Sequence, residues 1–181
     1  MTLRGDYCWN MRVISRQDAA SELRAFVGRY LAAWNAGDTD AIAPLVTDDI
    51  VWADPALPHP ARGITAVQEF MRASRRAFPD LRFGEPDPPV LASTGDTVVW
   101  CWCMEGTHRG ALDPPGFAPT ARPMRVEGID QWIMREGRIA RYRAFYDLND
   151  LARQLGIAPA PGSGAERAMV ALQRLKARLS H

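Results

Sequence analysis

The stretch from Met124 to Asp147, MRVEGIDQWIMREGRIARYRAFYD, restricts the fold more than any other part of the chain. Both halves alternate with a period of two around Arg135-Glu136-Gly137, the pattern of two strands joined by a tight turn. On the first strand Met124, Val126, Trp132 and Met134 share one face, and Asp130 shares it with them. Arg125, Glu127 and Gln131 fall on the other. An ionised carboxylate on the core side of a strand is costly. Asp130 is therefore expected to be paired, hydrogen-bonded or protonated with a raised pKa.

The segments around this hairpin place it in an α+β chain. A helix is expected from about Asp18 to Asn35, because Leu23, Phe26, Val27, Tyr30, Leu31 and Trp34 form an apolar stripe at helical spacing. Ala36-Gly37-Asp38 closes it, and Asp38 is placed to cap a short second helix, TDAIAPLV. A strand over Asp49–Asp54 is stopped by Pro55, and on it Ile50, Trp52 and Asp54 share a face. Asp54 is thus a second carboxyl group in register with large apolar neighbours. After the loop PALPHP, a third helix covers ITAVQEFMRASRRAF and ends at Pro79-Asp80. The passage from there to Pro89 reads as irregular.

Two further strands, VLAS and TVVWCWCMEGTH, flank the turn Thr94-Gly95-Asp96. The second is apolar on both faces, which places it centrally in a sheet. A short helix, LNDLARQL, follows Asp147. Residues 157–164 read as a linker, and AERAMVALQRLKARLSH as a basic amphipathic helix with Leu172, Leu175 and Leu179 on one side. The expected organisation is an arm over 1–16, one domain over 17–156, and the linker with its helix over 157–181. Helices first and antiparallel strands after predict helices packed on a curved sheet.

Composition narrows the function classes. With a formal net charge of +1 the chain gives no reason to expect nucleic acid or an anionic membrane surface as a partner. No apolar run approaches the ~20 residues of a membrane span. The opening residues lack a secretory h-region. Cys101 and Cys103 sit on one face of one strand, poor geometry for a disulfide, and no CxxC or HExxH spacing points to metal. A reducing cytoplasm is the expected compartment.

The segment RYLAAWNAGDTDAIAPLVTDDIVWADP resembles the opening of the ketosteroid isomerase branch of the nuclear-transport-factor-2-like superfamily, and GIDQWIMREGRI resembles a strand and turn of the same branch. GTHRG, APTARP, GRIARYRAFYD and the QLG after it resemble the SnoaL-like polyketide cyclases of that superfamily. The resemblance runs from about Phe26 to Gly156. It implies a cone-shaped α+β barrel: helices on a strongly curved, mostly antiparallel sheet, with an apolar pocket inside. It also implies proton transfer beside a carbonyl or ring closure on a hydrophobic small molecule, with no metal and no organic cofactor, in a homodimer.

By position, the resemblance makes Asp54 the carboxylate that moves the proton, Tyr30 an oxyanion-holding phenol, and Asp130 a protonated acid that donates the second hydrogen bond. A neutral carboxyl group in an apolar isomerase site is a known pattern. His108 in GTHRG matches a histidine that SnoaL-like cyclases carry near their pocket, with strand-end capping as its other role. Tyr146, and Tyr142 on the same face, take pocket-wall positions. Trp52, Trp100, Trp102 and Met104, with Val126 and Trp132 on the neighbouring strand, are expected in the core or the pocket wall. The chain departs from the cyclases in APTAR, Ala118 to Arg122, and from the isomerases in its long loop Gly110 to Pro123. Two other readings fit the superfamily: a non-catalytic binder of an apolar ligand, and an epoxide hydrolase of the limonene-epoxide-hydrolase-like type, which needs an arginine between two aspartates.

Overall fold

A computed structural model describes residues 16–179. The first helix, α1, runs over Arg16–Ala36 and buries Phe26, Val27, Tyr30, Ala33 and Trp34, one stripe at helical spacing. Its end is a Schellman turn: Gly37, at φ 68°, donates to Trp34 O, and Asp38 N donates to Ala33 O. Arg75 reinforces that end by donating to the carbonyls of Trp34 (2.8 Å) and Asn35. It also donates to Leu81 O at 2.9 Å. One guanidinium thus ties α1 to the segment after the second helix.

The chain then turns through Ala43–Leu45, a single 3-10 turn rather than the short helix expected over 39–46. Pro44 and the buried pull of Leu45 and Val46 take the backbone directly into β1, Val46–Ala53. Asp38 caps no helix either; its Oδ1 accepts from the backbone N–H groups of Asp40 and Ala41, a local Asx turn. A two-residue strand, β2 (Ala61–Arg62), pairs with β1 and leads into α2, Gly63–Ala77. The passage expected to be irregular contains β3, Arg82–Gly84, which pairs with the outer edge of β5. Three residues are too few for a period to show.

The remaining strands are β4 (Leu91–Thr94), β5 (Thr97–Thr107), β6 (Pro123–Arg135) and β7 (Arg138–Tyr146). The sheet has seven strands in the order β2-β1-β7-β6-β5-β3, with β4 also on β5. All pairs are antiparallel except β1 with β7. β5 is paired on both edges, as its two apolar faces require, but β6 and β7 lie nearer the middle. The turn between them has φ 52° at Glu136 and 72° at Gly137, the two left-handed residues that a tight hairpin demands.

The inner face of this curved sheet carries the core. Val98, Trp132, Tyr142 and Trp52 stand in register across β5, β6, β7 and β1. Tyr142 and Trp52 stack with ring centroids 3.5 Å apart and planes 8° apart. Two helices follow β7: the short α3, Leu148–Gln154, capped by Asp147, and α4, Gly164–Leu179. No residue of α4 is buried. No described helix is long and apolar enough to cross a membrane.

Candidate active site

Between α2, α3, the 112–114 loop and the inner face of the sheet lies a cavity of about 450 Å³. Its wall is largely aromatic and aliphatic: Trp34, Phe70, Phe78, Phe83, Trp102 and Met104, with Leu112 and Leu151 closing it. Asp54 is a half-buried carboxyl group in that wall, and Tyr146 stands beside it. Glu69, Arg72, Arg76 and Asp113 are the charged residues that line the same space.

Asp54 follows the last residue of β1, where Pro55 ends the strand. Its Oδ1 accepts two hydrogen bonds of 2.8 Å, from the Tyr146 hydroxyl and from Ala56 N–H. Burial raises its pKa and these two donors oppose the rise. The net direction is upward, toward a stronger base. The Tyr146 hydroxyl is itself held above its ordinary value, first by burial and then by the charge of Asp54. It remains a proton donor at any working pH.

Asp130 sits one layer deeper. It is 1% exposed and does not line the cavity. Its Oδ1 accepts from Trp102 Nε1 at 2.7 Å and from the Tyr142 hydroxyl at 2.8 Å. Burial pushes its pKa up to about 7 against those donors, with the charge of Asp54 adding to the rise. The alternation read from the sequence put this carboxyl group on the apolar side of β6, and there it stands.

Tyr30 packs among tryptophans, with ring centroids 5.0 Å from Trp132, 5.9 Å from Trp100 and 6.3 Å from Trp52. Burial and the charge of Asp130 hold its phenol well above the ordinary range. Tyr30, Tyr142, Asp130 and Asp54 therefore feel one another electrostatically, but only Asp54 reaches the cavity wall. Of the expected wall residues, Trp102, Met104 and Tyr146 line the cavity. Trp52, Trp100, Trp132, Val126 and Tyr142 do not; they form the packed floor beneath it.

His108 is fully buried behind Phe78, with ring centroids 5.4 Å apart, and does not line the cavity. Its Nδ1 lies 3.2 Å from Thr120 Oγ1, and its backbone N–H donates to Arg122 O. Burial lowers its pKa, so it is a neutral anchor for the return of the long loop. The wall residues from α2, β3 and α3 were not singled out from the sequence. For α2 the signal was present: Ala66, Phe70 and Ala73 repeat at helical spacing on one face. Nothing in the sequence indicated that this face lines a space rather than packing tight.

A helix-covered, curved and mostly antiparallel sheet with a half-buried carboxyl group at the wall of an apolar cavity defines a nuclear-transport-factor-2-like α+β protein. The sequence model of the SnoaL-like polyketide cyclases matches residues 24–155. The chain belongs to that family. Among solved structures it is similar to TsrD from Streptomyces laurentii, with 25% identity, a TM-score of 0.66, and coverage of 76% of this chain and 97% of that one. It is also similar to AclR from Streptomyces galilaeus, proposed to be a hydroxylase (21% identity, TM-score 0.65, 90% and 98% covered). A proposed polyketide cyclase from Acidithiobacillus ferrooxidans has the same fold (22% identity, TM-score 0.65, 77% and 98% covered).

Proposed function

We propose that the protein is an acid–base enzyme, working without a cofactor, that closes or isomerises a hydrophobic carbonyl compound in the manner of a polyketide cyclase. The observation that carries this reading is Asp54: a carboxyl group of raised pKa at the wall of an apolar cavity, with a phenol hydrogen-bonded to it. Asp54 takes a proton from the carbon beside the carbonyl, and the electron pair moves to the carbonyl oxygen as an enolate. Once protonated, Asp54 no longer requires the Tyr146 hydroxyl, which turns to the new oxyanion. The enolate carbon then attacks a second carbonyl carbon of the same molecule. A C–C bond forms, and the resulting alkoxide takes the proton back from Asp54.

The test is solvent deuterium exchange, followed by NMR, at the carbon between the carbonyls of an aromatic β-keto ester. Wild-type protein is expected to accelerate the exchange, and Asp54→Asn to lower the rate by about 10²-fold or more with the fold intact. Equal rates would remove the proposal. The hydrogen-bond partners of Asp130 are Trp102 and Tyr142 rather than an arginine, which counts against the Asp–Arg–Asp set of the epoxide-hydrolase reading. A homodimer belongs to the same proposal. Ile129 and Phe145, 41% and 44% exposed in one cross-strand row of the outer sheet face, support it as the contact surface.

A further inference from the structure

Asp130 does not line the cavity, and Trp102 links the two. The indole is part of the cavity wall, while its Nε1 donates to Asp130 Oδ1 at 2.7 Å. The ring lies over Gly128, its cross-strand neighbour on β6. A Cβ at Gly128 would come within 2.3 Å of Trp102 Cζ2 and 2.5 Å of Cη2, so only glycine leaves room for the ring there. Phe83 and Tyr146 hold it from the sides, at centroid distances of 5.6 and 5.8 Å. Four neighbours thus fix one aromatic wall element, and one of them is an acid that a ligand in this cavity does not meet.

We propose that Trp102 is the wall residue that selects what the cavity accepts, and that Asp130 is a positioning residue that acts on the ligand through the Trp102 indole. The proposal rests on the reading of this cavity as the active site. An indole free to rotate presents a different wall to each ligand; one tied at Nε1 and seated on Gly128 presents a single wall. The tie needs an acceptor at Oδ1, not a charge. The amide oxygen of asparagine can supply that acceptor, whereas leucine cannot.

The experiment uses the full chain and 2-acetonaphthone as a neutral aromatic probe, with binding followed on the tryptophan indole N–H resonances. Trp102→Phe assigns the Trp102 resonance. In the wild type that resonance is expected to move with pH as Asp130 titrates, and to move again when the probe binds. Asp130→Asn is expected to keep the probe's Kd within about twofold, and Asp130→Leu and Trp102→Phe to weaken it about tenfold. The proposal is overturned if Asp130→Leu binds like the wild type, or if asparagine and leucine lose equally. If Asp130→Leu does not fold, the other two measurements decide: a Trp102 resonance indifferent to the probe, or a Trp102→Phe Kd equal to the wild type's, overturns it. Binding is read without turnover. Failure of the acid–base reading, seen as exchange that Asp54→Asn leaves untouched, is therefore a separate result.

Discussion

Replacing Asp130 with asparagine isolates what the buried carboxyl group does to stability. An unfolded chain ionises this side chain near its ordinary value of 3.8, and the folded chain near 7. Between those pH values the folded protein holds a proton that the unfolded chain has released. Unfolding then gives up a proton, so stability falls as pH rises through that window. The gap of about three in pKa corresponds to about 4 kcal/mol, fully felt above pH 7 and absent below about pH 4. Asparagine cannot ionise, yet its amide oxygen can still accept from Trp102 and Tyr142. The variant should therefore gain on the wild type as pH rises, by about 2–3 kcal/mol between pH 5 and pH 8. Urea unfolding of both proteins at half-unit steps, read by tryptophan fluorescence, measures the difference directly. His108 and Asp54 titrate in both proteins, so their contributions largely cancel in the comparison. A stability difference that stays flat with pH, or that shrinks toward pH 8, would falsify the assignment of Asp130 as a group neutralised by burial.

Three other outcomes follow from the same contacts. Arg75→Met removes donors from the carbonyls of Trp34, Asn35 and Leu81, and is expected to cost about 2–4 kcal/mol in urea unfolding, because those acceptors lose a charged partner. Tyr146→Phe takes one donor from Asp54, whose pKa should climb further. The acid limb of the pH–rate profile then moves to higher pH, and the plateau rate falls by about 10-fold or more with the loss of the oxyanion donor. Ending the chain after Ser163 removes α4, which has no buried residue, so the melting temperature of the rest should change by no more than about 2 °C.

The fold was legible where a period could run. The β6–β7 hairpin, the stripe of α1 and the inward face of Asp130 all come from repeats long enough to show. β3 has three residues and β2 two, below any period, and both exist because an edge of a longer strand lies beside them. The 3-10 turn at Ala43–Leu45 was masked by a helix-like composition that Pro44 prevents from propagating. At the site, alternation placed Asp54 and Asp130 on inward faces without telling how deep each would lie. Depth depends on what stands in front. For Asp130 that is Trp102, seated where Gly128 lacks a side chain, a relation between residues 26 apart that neither strand announces alone.

That difference in depth assigns different work to two acids that look alike in sequence. Asp130 lies mid-strand, paired across to Trp100 on one side and Ala144 on the other, so its backbone is held by neighbours on both edges. Its side chain is fixed by two donors on one oxygen. A group so constrained is suited to holding other residues in place. Asp54 stands just past the end of β1, where Pro55 has ended the ladder and the chain opens toward the cavity. Its partners are a loop N–H and one phenol, and a phenol can change acceptor by rotating its hydroxyl. Proton transfer needs a group that can lose one partner and gain another within the same cycle. Of these two carboxyl groups, the half-buried one at the strand end has the partners that allow such an exchange.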